Sequence, residues 1–293
     1  MFTLSRNYLM PSHNNTDTKI AISKRDNLQQ MHSGDPIGIF DSGVGGLSIT
    51  QCIQQQLPHE NLLYVADTLN APYGEKSAQF IQQRVNEIAQ WFIEQKVKAI
   101  VVACNTATVN AIDQLRKNIS IPVIGVEPAI KPAANGSKNK KVAILVTKAT
   151  AENQRFLSLV AQYRNNSEVT IQPCPGLVEL IEQDKKASVE CQQMLSGYLL
   201  PLIAQGVDTI VLGCTHYPLV KALISEICGD GVLIMETAQP VTEQLQRQLT
   251  LHQLINISKD LGTTSFYSSK HSESQQALFS HIWQRPLQLK HYP

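Results

Sequence analysis

Three observations predict a parallel α/β fold made of two similar halves with a cleft between them. Short buried apolar runs alternate with helix-like stretches. The pattern recurs about a hundred residues later. In each half a cysteine follows a buried run.

The apolar runs are 37–40, 62–65, 99–103, 123–126, 142–146, 169–171, 209–212 and 232–234, each the length of a strand buried on both faces. Helical spacing is clearest over 77–95, where Phe80, Ile81, Val85, Ile88, Ala89, Phe92 and Ile93 fall on one side. Strands alternating with helices imply parallel pairing, because each return crossover needs room for a helix.

The recurrence is ordered. Val97 to Cys104 (VKAIVVAC) parallels Val207 to Cys214 (VDTIVLGC), an offset of 214 − 104 = 110. Glu127, after Pro122-Val123-Ile124-Gly125-Val126, parallels Glu236, an offset of 236 − 127 = 109. The run at 37–40 has a counterpart about 105 residues later at 142–146. In parallel sheets ligands bind beyond the C-terminal strand ends. Both halves put a cysteine there, so two facing halves would offer one thiol to each side of a small molecule.

Composition narrows the function. In 293 residues, 43% are hydrophobic and 17% charged, and 25 basic against 24 acidic side chains leave a net charge of +1. That balance gives no electrostatic case for nucleic acid or an anionic membrane surface. No apolar run approaches the roughly 18 residues of a membrane span. Residues 1–34 are polar, without the apolar stretch of a secretory signal, and read as a flexible leader. The cytoplasm is then the default, where Cys52, Cys104, Cys174, Cys191, Cys214 and Cys228 would be reduced thiols. Their spacing matches no zinc motif, so no metal is expected. No Gly-rich phosphate cradle with a placed lysine supports pyridoxal phosphate, and no cofactor is expected.

Cys104 (Ala103-Cys104-Asn105-Thr106-Ala107) and Cys214 (Gly213-Cys214-Thr215-His216-Tyr217-Pro218) each begin a strand-to-helix turn. Backbone N–H groups there favour an anion, which lowers a thiol pKa and could hold a carboxylate. Asp41, in Asp41-Ser42-Gly43-Val44-Gly45-Gly46, stands at another strand tip and suits a substrate ammonium or a thiol partner, or a turn cap. The loop 67–74 (DTLNAPYG) is ordinary by itself, with Tyr73 adding a hydroxyl. His216 and Glu182 suit acid–base roles, although such residues are more often structural.

With these motifs, together with Pro72-Tyr73-Gly74 and Gly125-Val126-Glu127-Pro128, the chain resembles bacterial glutamate racemases, within the wider aspartate/glutamate racemase group, over about residues 36–285. The resemblance implies two pseudo-symmetric α/β domains, 35–130 plus 238–293 and 131–237, with the site between them. It implies cofactor-independent interconversion of L- and D-glutamate for peptidoglycan. Cys104 would take the α-proton of D-glutamate and Cys214 that of L-glutamate. Asp41 would assist Cys104, and His216 with Glu182 would assist Cys214. Asp41, Ser42, Tyr73, Gly74, Asn105, Thr106, Thr215 and His216 would hold the substrate, with Thr147 and Thr150 nearby. The partners it allows are this small molecule and a second copy in a homodimer. Two departures stand out: Met235-Glu236-Thr237 replaces an Asp-containing motif, and the leader is long. The rival readings are an aspartate racemase, a cysteine-dependent decarboxylase or isomerase of the same fold, and a two-lobed binding protein without catalysis.

Overall fold

The computed structural model describes residues 31–293. Most of the expected leader lies outside the described residues. Of its last four residues, Met31 contacts the apolar core, and the Ser33 carbonyl accepts from the Lys98 ammonium.

All strands pair in parallel, in two sheets. The first has the order β10-β9-β2-β1-β3-β4, with β1 (Ile37–Asp41), β2 (Leu62–Ala66), β3 (Ala99–Val102), β4 (Val123–Gly125), β9 (Thr264–Ser268) and β10 (Leu289–His291). The second has the order β6-β5-β7-β8, with β5 (Lys141–Val146), β6 (Glu168–Pro173), β7 (Thr209–Leu212) and β8 (Leu233–Met235). The run β2-β1-β3-β4 has the same order as β6-β5-β7-β8, which is the internal repeat in three dimensions. The eight expected strands are present with ends shifted by a few residues. β9 and β10, which the reading from sequence omitted, extend the first sheet beyond β2.

The period-2 alternation of each strand decides which helices cover which face. The helices are α1 (Leu47–Gln56), α2 (Ala78–Glu94), α3 (Asn105–Asn118), α4 (Ile130–Gly136), α5 (Lys148–Ala151), α6 (Gln154–Tyr163), α7 (Leu177–Glu182), α8 (Val189–Ala204), α9 (Lys221–Cys228), α10 (Ala238–Leu251) and α11 (Glu273–Trp283). In the first sheet Phe40, Val65, Ile100 and Val102 pack with Ile81, Val85 and Phe92 of α2 and with Ile112 and Leu115 of α3. Ile37, Ile39, Tyr64 and Val101 pack on the other face with Leu47, Leu245 and Phe279 of α1, α10 and α11. In the second sheet Val142, Ile144 and Val211 pack with Phe156 and Val160 of α6, and Leu145, Ile210 and Leu212 with α7, α8 and α9. One apolar cluster contains residues of both sheets, so burial of the order of 1.5–3 kcal/mol per large side chain also holds the lobes together.

The expected helix over 77–95 is α2, and Ser77 caps it: its hydroxyl accepts the Phe80 N–H at 3.2 Å. Among the described residues no helix is long and apolar enough to cross a membrane.

Candidate active site

The C-terminal ends of β1, β3, β5 and β7 meet around a small, nearly closed cavity. Ser42, Tyr73, Gly74, Cys104, Asn105 and Thr106 line it from the first lobe, and Thr147, Cys214, Thr215 and His216 from the second. Asp41, Glu182 and Thr150 stand directly behind this lining through hydrogen bonds to it.

Cys104 is the N-cap of α3, and its Sγ accepts the Ala107 N–H at 3.4 Å. Ser42 Oγ lies 3.7 Å from that sulfur. A lowered thiol pKa was expected here, and the structure corrects this. Burial and the nearby Asp41 charge push the Cys104 thiol up to about 12, outweighing the Ala107 and Ser42 bonds. The turn after β7 also differs from expectation. Cys214 caps no α-helix, because a 3₁₀ turn, Tyr217–Val220, comes first.

His216 is buried in that turn. Its Nδ1 lies 3.8 Å from Cys214 Sγ, and its Nε2 lies 2.6 Å from Glu182 Oε1. Burial opposes a charge on the ring, but the contacts with Cys214 and Glu182 prevail and hold its pKa well above the ordinary value. The Glu182 contact at Nε2 thus favours the protonated ring. The same Glu182 oxygen accepts the Val44 N–H of the first lobe at 2.8 Å. This approach requires Gly43: a Cβ there would lie 1.8 Å from Glu182 Oε1.

Asp41 is fully buried, and burial raises its pKa. It was expected to assist Cys104, and its closest bonds are to Thr215 and Gly43. Oδ2 accepts the Thr215 hydroxyl at 2.8 Å across the lobes, and Oδ1 accepts the Gly43 N–H at 2.8 Å. Its link to Cys104 passes through Ser42, whose hydroxyl is 3.5 Å from Oδ1.

Thr106, Thr147 and Thr150 form a closed triangle of buried hydroxyls, with sides of 2.9, 3.0 and 3.3 Å, between α3 and the start of α5. Both polar atoms of the buried Asn105 side chain have no partner among the described residues, which marks a place for a polar ligand. Tyr73 offers no free hydroxyl, because it donates to Asp67 Oδ2 at 2.6 Å. It lines the cavity with its ring and backbone. Among the described residues no cluster of three His, Cys, Asp or Glu side chains could hold a metal ion.

Likeness to known proteins gives the family. The family model for Asp/Glu/hydantoin racemases matches residues 37–245. The chain belongs to that family. It is 44% identical over 251 residues to a glutamate racemase of Pseudomonas putida, covering 85% of this chain and 94% of that protein. Among solved structures it resembles glutamate racemase isoform RacE1 of Bacillus anthracis, with a TM-score of 0.81 and 29% identity over 89% of this chain and 98% of that one. It also resembles a Francisella tularensis glutamate racemase solved with D-glutamate, with a TM-score of 0.79 and 30% identity over 89% and 98% of the two chains.

Two features of this racemase-family site escaped the reading from sequence. The Val44 N–H that receives Glu182 is a backbone group without a sequence signal. Asp67, which holds Tyr73, did have one: it is the first residue past a buried strand, as Asp41 and Cys104 nearly are.

Proposed function

We propose that this protein interconverts L- and D-glutamate by two-base α-proton transfer, without a cofactor, and supplies D-glutamate for peptidoglycan in the cytoplasm. One catalytic half would comprise 35–130 and 238–293, and the other 131–237. The observation that carries the reading is the pair of buried thiols, Cys104 and Cys214, at equivalent strand ends of two repeated lobes, lining one small cavity.

Stereoinversion needs a proton removed from one face of the α-carbon and another delivered to the opposite face. Cys104 would remove it from D-glutamate and Cys214 from L-glutamate, with one sulfur a thiolate and the other a thiol at each moment. Cys214 Sγ adjoins His216 Nδ1, through which a proton would be taken up and returned. Burial and the Asp41 charge raise the Cys104 thiol, so the substrate ammonium would supply the charge that lowers its pKa. Asp41, through Ser42 and Thr215, orients the groups on either side. Asn105, with its free donors and acceptor, and the hydroxyls of Thr106 and Thr147 suit the substrate carboxylates. Glutamate is favoured over aspartate by the likeness to the Pseudomonas putida glutamate racemase and to the Francisella protein solved with D-glutamate.

The test is polarimetry of the purified protein with L- and D-glutamate and with L- and D-aspartate, in chelator and without pyridoxal phosphate. Loss of glutamate rotation from either enantiomer supports the reading. Turnover of aspartate alone, or activity that requires an added metal or cofactor, contradicts it.

A further inference from the structure

The loop 67–76 carries Tyr73 and Gly74 into the cavity wall, and one buried carboxylate behind the wall holds it. Asp67 is fully buried at the end of β2. Its carboxylate receives Arg84 of α2 through two parallel bonds, Nε to Oδ2 at 2.9 Å and Nη2 to Oδ1 at 3.0 Å. Asn70 Nδ2 adds bonds of 2.9 and 3.1 Å, and the Tyr73 hydroxyl donates at 2.6 Å. The Asp67 N–H donates to the Asp41 carbonyl at 3.0 Å, which ties the loop's origin to the strand carrying Asp41. Glu87 holds the third guanidinium nitrogen.

The far end of the loop meets the other lobe. A Cβ on Gly74 would lie 2.8 Å from Thr147 Cβ, so the backbone there is flush against the second lobe. The Tyr73 ring, tethered at its hydroxyl, packs beside Phe40 and Phe80 with centroids 6.0 and 6.5 Å away. A planar fork on a carboxylate sets direction as well as attraction, and Arg84 is one of few groups able to do this.

We propose that Asp67 and Arg84 are positioning residues for the substrate: the Arg84–Asp67–Tyr73 chain holds the 71–75 backbone against Thr147 and so completes the wall that grips the amino acid. The inference rests on the cavity being the substrate site. The clamp touches neither thiol, so it acts on binding. Both enantiomers share the wall, so both lose affinity when it loosens.

The experiment compares wild type with Arg84→Gln, Arg84→Lys and Asp67→Asn. Kinetics are measured from both glutamate enantiomers, and hydrogen exchange is measured on the free proteins. Arg84→Gln and Asp67→Asn should raise KM for both enantiomers about tenfold, with a smaller change in kcat. Arg84→Lys, which keeps charge without the fork, should recover part of the loss. Amide exchange should accelerate over 68–76 and remain unchanged over β1 and β3. Unaltered KM, with kcat falling only as folded protein falls, would overturn the proposal. So would unaltered exchange over 68–76 in both charge-removing variants. If the wild type turns over no glutamate, the substrate reading has failed, and the exchange measurement still tests the clamp. If Arg84→Gln does not fold, Arg84→Lys and Asp67→Asn carry the same comparison.

Discussion

Burial and the Asp41 charge hold the Cys104 proton tightly, up to a pKa of about 12, even at a helix N-terminus. Below that value the thiolate fraction rises about tenfold per pH unit. Alkylation of Cys104 in the ligand-free protein, followed by peptide mass spectrometry, should therefore rise steeply from pH 8 to 10 without levelling; a plateau near neutrality would show a thiolate already formed. Gly43 makes a second residue-scale point. Its missing side chain lets Glu182 reach both the Val44 N–H and His216. Gly43→Ala should displace Glu182 and lower kcat by about 10²-fold or more. Gly197→Ala, where a methyl meets nothing within 4 Å, should leave kcat unchanged. Equal activity of the two variants would refute the proposed role of the 43–182 contact.

At the scale of elements, apolar runs and their period marked the eight strands that form the two central sheets. β9 and β10 were not legible because their sequences, TSFYS and LKH, are short and rich in polar residues and so carry no sustained apolar run. Cys104 and Cys214 were legible through their place after buried runs. Asp41's bond to Thr215 was not, because it joins residues 174 apart across the lobes. One tie between elements was also hidden. Lys98, just before β3, is fully buried against Glu60, just before β2, with 2.5 Å between Nζ and Oε2. Glu60 Oε1 accepts the Asn256 N–H at 2.9 Å, which pins the C-terminal segment to the first sheet. Glu60→Ala leaves a buried ammonium without its carboxylate, with the Ser33 carbonyl still accepting from it, and should cost about 3 kcal/mol. Thermal unfolding should show a clear fall in Tm, and a Tm within about 1 °C of wild type would refute this tie.

At the scale of the whole molecule, the repeated order β2-β1-β3-β4 and β6-β5-β7-β8 turns one strand-end position into two opposed ones. A single lobe offers one thiol, and the pair offers a thiol from each side of one cavity. The lobes meet through Glu182 with Val44, Thr215 with Asp41, and Thr106 with Thr147 and Thr150, all bordering that cavity. The contacts that join the lobes are therefore also contacts that surround the candidate site. The central claim is that each lobe contributes one base, and isotope transfer tests it most directly. In deuterium oxide the delivering thiol carries solvent deuterium, and the abstracting thiolate takes substrate hydrogen on the opposite face. Early in a reaction from L-glutamate, the D-glutamate formed should carry α-deuterium while recovered L-glutamate keeps hydrogen. Cys104→Ala and Cys214→Ala should each abolish inversion. Early deuterium appearing equally in both enantiomers, or inversion persisting in either variant, would contradict the account.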